Sequence, residues 1–142
     1  MSDGQTLGGT LGFVSVHELT ETRARIEYRA RMDQAHSGGV IQGGFVTAWI
    51  DAAMAHAAIA RHGQGIVPMT LEIKISFFAP ARPGPVFAEG WVERAGKRTE
   101  FYEGRLLDGE GNVLAKGTST LQIVDLAKVQ AKVAGGSGGG AA

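Results

Sequence analysis

Apolar and polar positions alternate along two short early segments, Leu11–Leu19 and Ala24–Ala30, with Phe13 and Val16 in the first and Ile26 and Tyr28 in the second. Polar Thr20, Glu21 and Thr22 separate them, so the pattern predicts two strands joined by a turn. From Arg31 to Gln42 the chain changes to small and polar residues including Gly38 and Gly39, as a sharply bent loop requires. From about Gly43 to Arg61 it is apolar nearly all round, which predicts a helix enclosed by the protein. Alanines at 48, 52, 53, 55, 57, 58 and 60 keep this helix slim, and His62, Gly63 and Gly65 end it.

Met69–Phe78 then alternates cleanly, with Leu71, Ile73, Ile75 and Phe77 expected on a buried face and Thr70, Glu72, Lys74 and Ser76 on the other. Pro80, Pro83, Gly84 and Pro85 break it, and strand patterns follow at Val86–Arg94, Thr99–Leu107 and Asn112–Val124. Ala95-Gly96-Lys97 and Asp108-Gly109-Glu110-Gly111 read as hairpin turns between them. Two strands, one long helix and four strands make an α+β domain over residues 7–126, an antiparallel sheet around a central helix. Residues 1–6 form an N-terminal extension, and the Gly-rich residues 127–142 are expected to be a disordered tail.

Length and charge narrow the possibilities further. The 142 residues suit one domain, with 44% apolar and 20% charged residues. Lys plus Arg and Asp plus Glu number 14 each, a balance that argues against nucleic acid and against an anionic membrane and leaves small molecules or a second copy as partners. The chain has no cysteine, which removes disulfides, thiolate metal sites and a cysteine nucleophile. Its start, MSDGQTLGG, carries no basic segment before an apolar stretch, and Asp51 and His56 interrupt the longest apolar segment, so a cytoplasmic protein is expected. The four histidines follow no metal-ligand spacing and no phosphate loop or dinucleotide fingerprint is present, so neither a metal nor a cofactor is expected.

Candidate chemistry centres on Asp51, the one acid in the apolar helix. A buried carboxylate without compensation costs on the order of several kcal/mol, so it is either paired or used. Gln42-Gly43-Gly44 enters the same helix, where unpaired amides bind oxyanions well; the same glycines could simply turn the chain or permit close packing. Asp51 lies eight residues beyond Gly43, roughly 12 Å along the axis at 1.5 Å per residue, too far for one chain to bring both to one atom. A joint site therefore needs a second, antiparallel copy of the helix, as in a twofold dimer; the alternative is a structural carboxylate bound to nearby backbone or Arg. His36 and Gln42 flank the glycines and can donate to a carbonyl or hold a water, and Thr70 can orient a water; exposure or ordinary strand packing is the plainer account of each alone. Arg94, Lys97 and Arg98 cluster at a hairpin, as solvated turn charges or as a site for a nucleotide phosphate. Trp49, Phe77 and Phe78 could line an acyl pocket or belong to the core.

Three stretches together, HSGGVIQGGFVTAWIDAA, TLEIKISFFAPARPG and WVERAGKRTEFYEGRLLDGEGNVLAKGTSTLQI, resemble the hotdog-fold acyl-CoA thioesterases, in order and spacing, from about Leu7 to Val124. The likeness is to the phenylacetate-pathway (PaaI-like) branch and related 4-hydroxybenzoyl-CoA thioesterases. That family's motif is His-Gly-Gly with an acid nine residues after the His, which aligns Gln42-Gly43-Gly44 with Asp51 and makes His36-Ser37-Gly38-Gly39 a decoy. Gln42 thus replaces the usual histidine, His36 stands where an amide is usual, and Thr70 matches a Ser or Thr that helps position water in some relatives. The resemblance implies a hotdog fold, a homodimer that can pair into a tetramer, and hydrolysis of an aryl or medium-chain acyl-CoA. Gly43 would polarise the thioester carbonyl, Asp51 of the partner chain would act as nucleophile or general base, and Gly44, Arg94, Lys97 and Arg98 would bind substrate. A hotdog hydratase or dehydratase using His36, and a non-catalytic acyl-CoA-binding module, are the alternatives.

Overall fold

The computed structural model describes residues 6–139; residues 1–5 and 140–142, where most of the expected extension and the end of the expected tail fall, lie outside the described residues. The chain opens with a short helix, α1 (Leu7–Leu11), instead of a strand from Leu11. Thr6 caps it by accepting from the Gly9 amide, and Gly12 ends it in the left-handed region at φ 78°. Leu11 is thereby turned inward, and its carbonyl accepts the Trp49 indole N–H at 2.7 Å.

Strands β1 (Phe13–Leu19) and β2 (Arg23–Ala30) follow, then two 3-10 turns at Met32–Gln34 and Ser37–Gly39 and the long helix α2 (Gly43–His62). Strands β3 (Ile66–Phe77), β4 (Gly84–Ala95), β5 (Thr99–Asp108) and β6 (Val113–Asp125) complete a six-stranded antiparallel sheet in the order β1-β2-β4-β5-β6-β3. This long helix cradled by one antiparallel sheet is the hotdog fold. β3 is an edge strand, paired to β6 alone.

Helix α2 buries Val46, Trp49, Ile50, Ala53, Met54, Ala57 and Ala58, a three-and-four spacing that forms one stripe against the sheet. Gly90 of β4 permits the close approach, since a Cβ there would lie 2.6 Å from the Met54 backbone nitrogen. Trp49 stacks on Tyr28 with ring centroids 6.1 Å apart. Each fully buried side chain such as Ile50 or Met54 contributes on the order of 1.5–3 kcal/mol. Ala48, Asp51, Ala52 and Ala55, on the opposite side, stay half-buried, so within one chain the helix is covered on one side only.

The clean alternation expected along β3 is broken by a bulge between Thr70 and Glu72. An extra residue in a period-two pattern moves everything before it to the other face. Ile73 and Ile75 pack against the core, whereas Leu71 is 60% exposed and Thr70 turns towards α2. Beyond β6, helix α3 (Leu126–Gly139) rests against β6 and β3, with Asp125 Oδ1 accepting the Ala127 amide at 2.8 Å.

Two buried acids tie the sheet together. Glu89, on the sheet face away from α2, accepts from Arg105 Nε at 2.6 Å and from Arg25, with Arg23 Nη2 at 3.0 Å. Arg25 lies over the Phe87 ring and Arg23 over the Trp91 ring, which sandwiches the charges between apolar planes. Glu100, 1% exposed, binds His62 Nε2 and the Tyr102 hydroxyl, both at 2.8 Å, and so anchors the C-terminal end of α2.

Candidate active site

The N-terminus of α2 is shaped by Gln42. Its Oε1 accepts the Gly44 amide at 2.7 Å, and its carbonyl accepts the Phe45 amide at 3.0 Å. The side chain expected to face a substrate therefore spends its acceptor on capping, and the Gly44 amide is occupied. The Gly43 N–H, at the first helical position, has no intrahelical acceptor. Gly43 opens on a cleft of about 350 Å³ whose lining includes His36, Val40, Phe77, Phe78 and Ala81. The Phe77 ring lies 3.2 Å from the position a Gly43 Cβ would take, so glycine there keeps the amide reachable.

Asp51 lies two turns further along the same helix. Thr70 donates to its Oδ1 at 2.8 Å, and among the described residues the other carboxylate oxygen has no protein partner. The half-buried carboxylate is thus oriented through one oxygen and left free at the other. It does not line the Gly43 cleft, as the helical rise requires.

Of the three aromatic candidates, Phe77 and Phe78 line the cleft, while Trp49 is fully buried in the core. Arg94, Lys97 and Arg98 gather with Thr99 and Phe101 around a separate open hollow of about 720 Å³ at the β4–β5 hairpin. Among the described residues none of the three makes an ion pair, unlike the arginines around Glu89. The remaining apolar wall of the first cleft, Ile41, Val46, Pro80 and Ala81, escaped the sequence reading because it is assembled from segments far apart in the chain.

A family model described as the Thioesterase superfamily matches residues 38–115, which hold the glycine turn, α2 and the strands from β3 as far as the start of β6. A Saccharolobus solfataricus protein, designated a candidate esterase, is 33% identical over 119 residues, 84% of either chain. A crystal structure from Ralstonia eutropha, of a candidate thioesterase related to phenylacetic acid degradation, superposes with TM-score 0.76 at 27% identity over 82% of this chain and 88% of that one. A Streptococcus mutans protein crystallised with acetyl CoA shares the fold, with TM-score 0.72 at 16% identity over 80% and 89% of the two chains. The chain belongs to the thioesterase superfamily, and its likeness falls in the phenylacetate-related branch. Among the described residues no helix is long and apolar enough to cross a membrane.

Proposed function

We propose that the protein hydrolyses an acyl-CoA thioester, aryl or medium-chain, to the free acid and coenzyme A. The observation that carries this reading is the division of labour along α2, with an accessible Gly43 amide over an apolar cleft and, two turns away, the Asp51 carboxylate held by Thr70 with one oxygen free. In an antiparallel homodimer each Asp51 meets the other chain's Gly43. The half-covered Ala48, Asp51, Ala52 and Ala55 side of α2 supports such pairing, as does the edge strand β3, where Leu71 and Phe77 are 60% and 56% exposed.

The Gly43 N–H donates to the thioester oxygen, where negative charge develops during addition. Asp51 activates water as general base, or attacks as nucleophile, and Thr70 sets its orientation. Phe77 and Phe78 wall the acyl group. The hairpin cations Arg94, Lys97 and Arg98 suit the phosphates of coenzyme A, in keeping with a structural neighbour that carries acetyl CoA. Thiol release across a panel of alkyl- and aryl-CoA thioesters tests the proposal. Turnover by the parent and its collapse in Asp51→Asn are expected, and no thiol from any panel member would overturn it.

A further inference from the structure

We infer that His36, and not the residue before the glycines, supplies the acid that protonates the departing thiolate. This assignment rests on the thioester-hydrolysis reading and gives it a step that reading lacks. Gln42 cannot act as an acid, because an amide does not release a proton near neutral pH, and its oxygen is already committed to the Gly44 amide. Among the described residues His36 is the one titratable side chain that shares the cleft with Gly43, and its imidazole has no hydrogen-bond partner there. Nor, among the described residues, does any carboxylate line that cleft.

The backbone that carries the imidazole is held firmly. The His36 N–H donates to the Val40 carbonyl at 2.8 Å, the Gly39 N–H donates back to the His36 carbonyl at 3.2 Å, and Ala35 bridges Ile41. Gly38 and Gly39 close this tight loop at φ 76° and 74°, where side-chain-bearing residues are strained. The flank after the loop is held by the Ile41 amide, which donates to the Ala81 carbonyl at 2.8 Å, and the flank before it by buried Gln34, whose side-chain amide donates to the Thr10 carbonyl at 2.8 Å. Arg82 reaches the loop from outside and donates to the Gly38 carbonyl at 3.2 Å. A side chain hung from such a fixed shelf is placed for chemistry with little ordering left to do.

In the step itself, a water oxygen bonds to the thioester carbon as Asp51 of a second copy takes its proton. The carbon–sulfur bond breaks with the electron pair going to sulfur, and the His36 imidazolium proton passes to that sulfur, giving the acid and the free thiol. Proton exchange with solvent resets both side chains.

The test compares two thioesters of one acyl group, one with coenzyme A as the leaving thiol and one with 4-nitrothiophenol, whose thiolate departs without a proton. In His36→Asn, kcat for the coenzyme A thioester is expected to fall by about 10²-fold, the usual worth of a positioned acid, and for the nitrothiophenyl thioester by less than about threefold. His36→Gln, which keeps a donor but no transferable proton, should behave like His36→Asn. Equal losses on both substrates, or no loss on the coenzyme A thioester, overturn the role of His36 while parent turnover keeps the hydrolase reading intact. A parent protein that cleaves neither substrate removes both.

Discussion

Asp51 and Glu89 are both acids drawn in from solvent, yet Asp51 has a single hydrogen-bond donor and Glu89 is ringed by arginines. Asp51 has one hydrogen-bond donor, Thr70, and a free oxygen, so under the proposed mechanism Asp51→Asn removes reactivity with little effect on packing. Its kcat should fall about 10²–10⁴-fold, with a melting temperature close to that of the parent in a thermal scan. Glu89 has every oxygen engaged. Burial by itself would raise its pKa, but hydrogen bonds from Arg105 and Arg25 and the charges of Arg23 and Arg105 outweigh that and hold it below its ordinary value of 4.5. Since the folded state favours the ionised form, this stabilisation is complete above the ordinary pKa and is lost as pH falls through the lower folded one. Glu89→Gln leaves three guanidiniums around a neutral amide and should cost about 3 kcal/mol near pH 7, the low end for a broken buried pair because the arginines reach water. Urea midpoints at neutral pH and at about pH 3 should show the gap between variant and parent shrinking at the acid end.

Among the elements, β3 shows how a small irregularity places a functional group. Strict alternation along Met69–Phe78 would aim Thr70 away from α2; the bulge at Leu71 reverses that and delivers its hydroxyl to Asp51. Thr70→Val removes the donor and should lower kcat by roughly tenfold, the loss of one hydrogen bond to a charge, while Thr70→Ser retains most of the rate. Steady-state kinetics on both variants separates the hydroxyl from the methyl; comparable losses in the two would show that packing, not the hydrogen bond, matters there. The helix itself was legible from its small apolar residues, as were its end at Gly63 and the hairpins of β4 to β6. The bulge was not, because nothing in an apolar–polar pattern marks a residue that forfeits its partner. The helix α1 was not legible either, because its five residues are too few to show a helical period and its anchoring contact is with Trp49, far along the chain.

For the molecule as a whole, the separation of Gly43 and Asp51 on one rigid helix makes assembly part of the proposal. Sedimentation should find a dimer or a dimer of dimers. A stricter check mixes two inactive proteins, Asp51→Asn and Gly43→Val, unfolding and refolding them together. A site built from one chain's Gly43 and the other's Asp51 is restored in the heterodimer, so about a quarter of parental activity should return on statistical re-pairing. Persistent inactivity of a properly refolded mixture would confine the site to one chain.

The order of the six strands and the central helix could be read from the chain, because periodicity, turn residues and spacing along a helix are local properties. Spacing alone even carried the argument that Gly43 and Asp51 cannot meet within one copy. Folding was needed to show that Gln42 spends its oxygen on a cap, that Thr70 faces Asp51, and that His36 shares a cleft with Gly43 and Phe77. The cap depends on the rotamer Gln42 takes within its own turn, and the other two on how α2 and the loop before it pack against β3, a choice that no local pattern encodes.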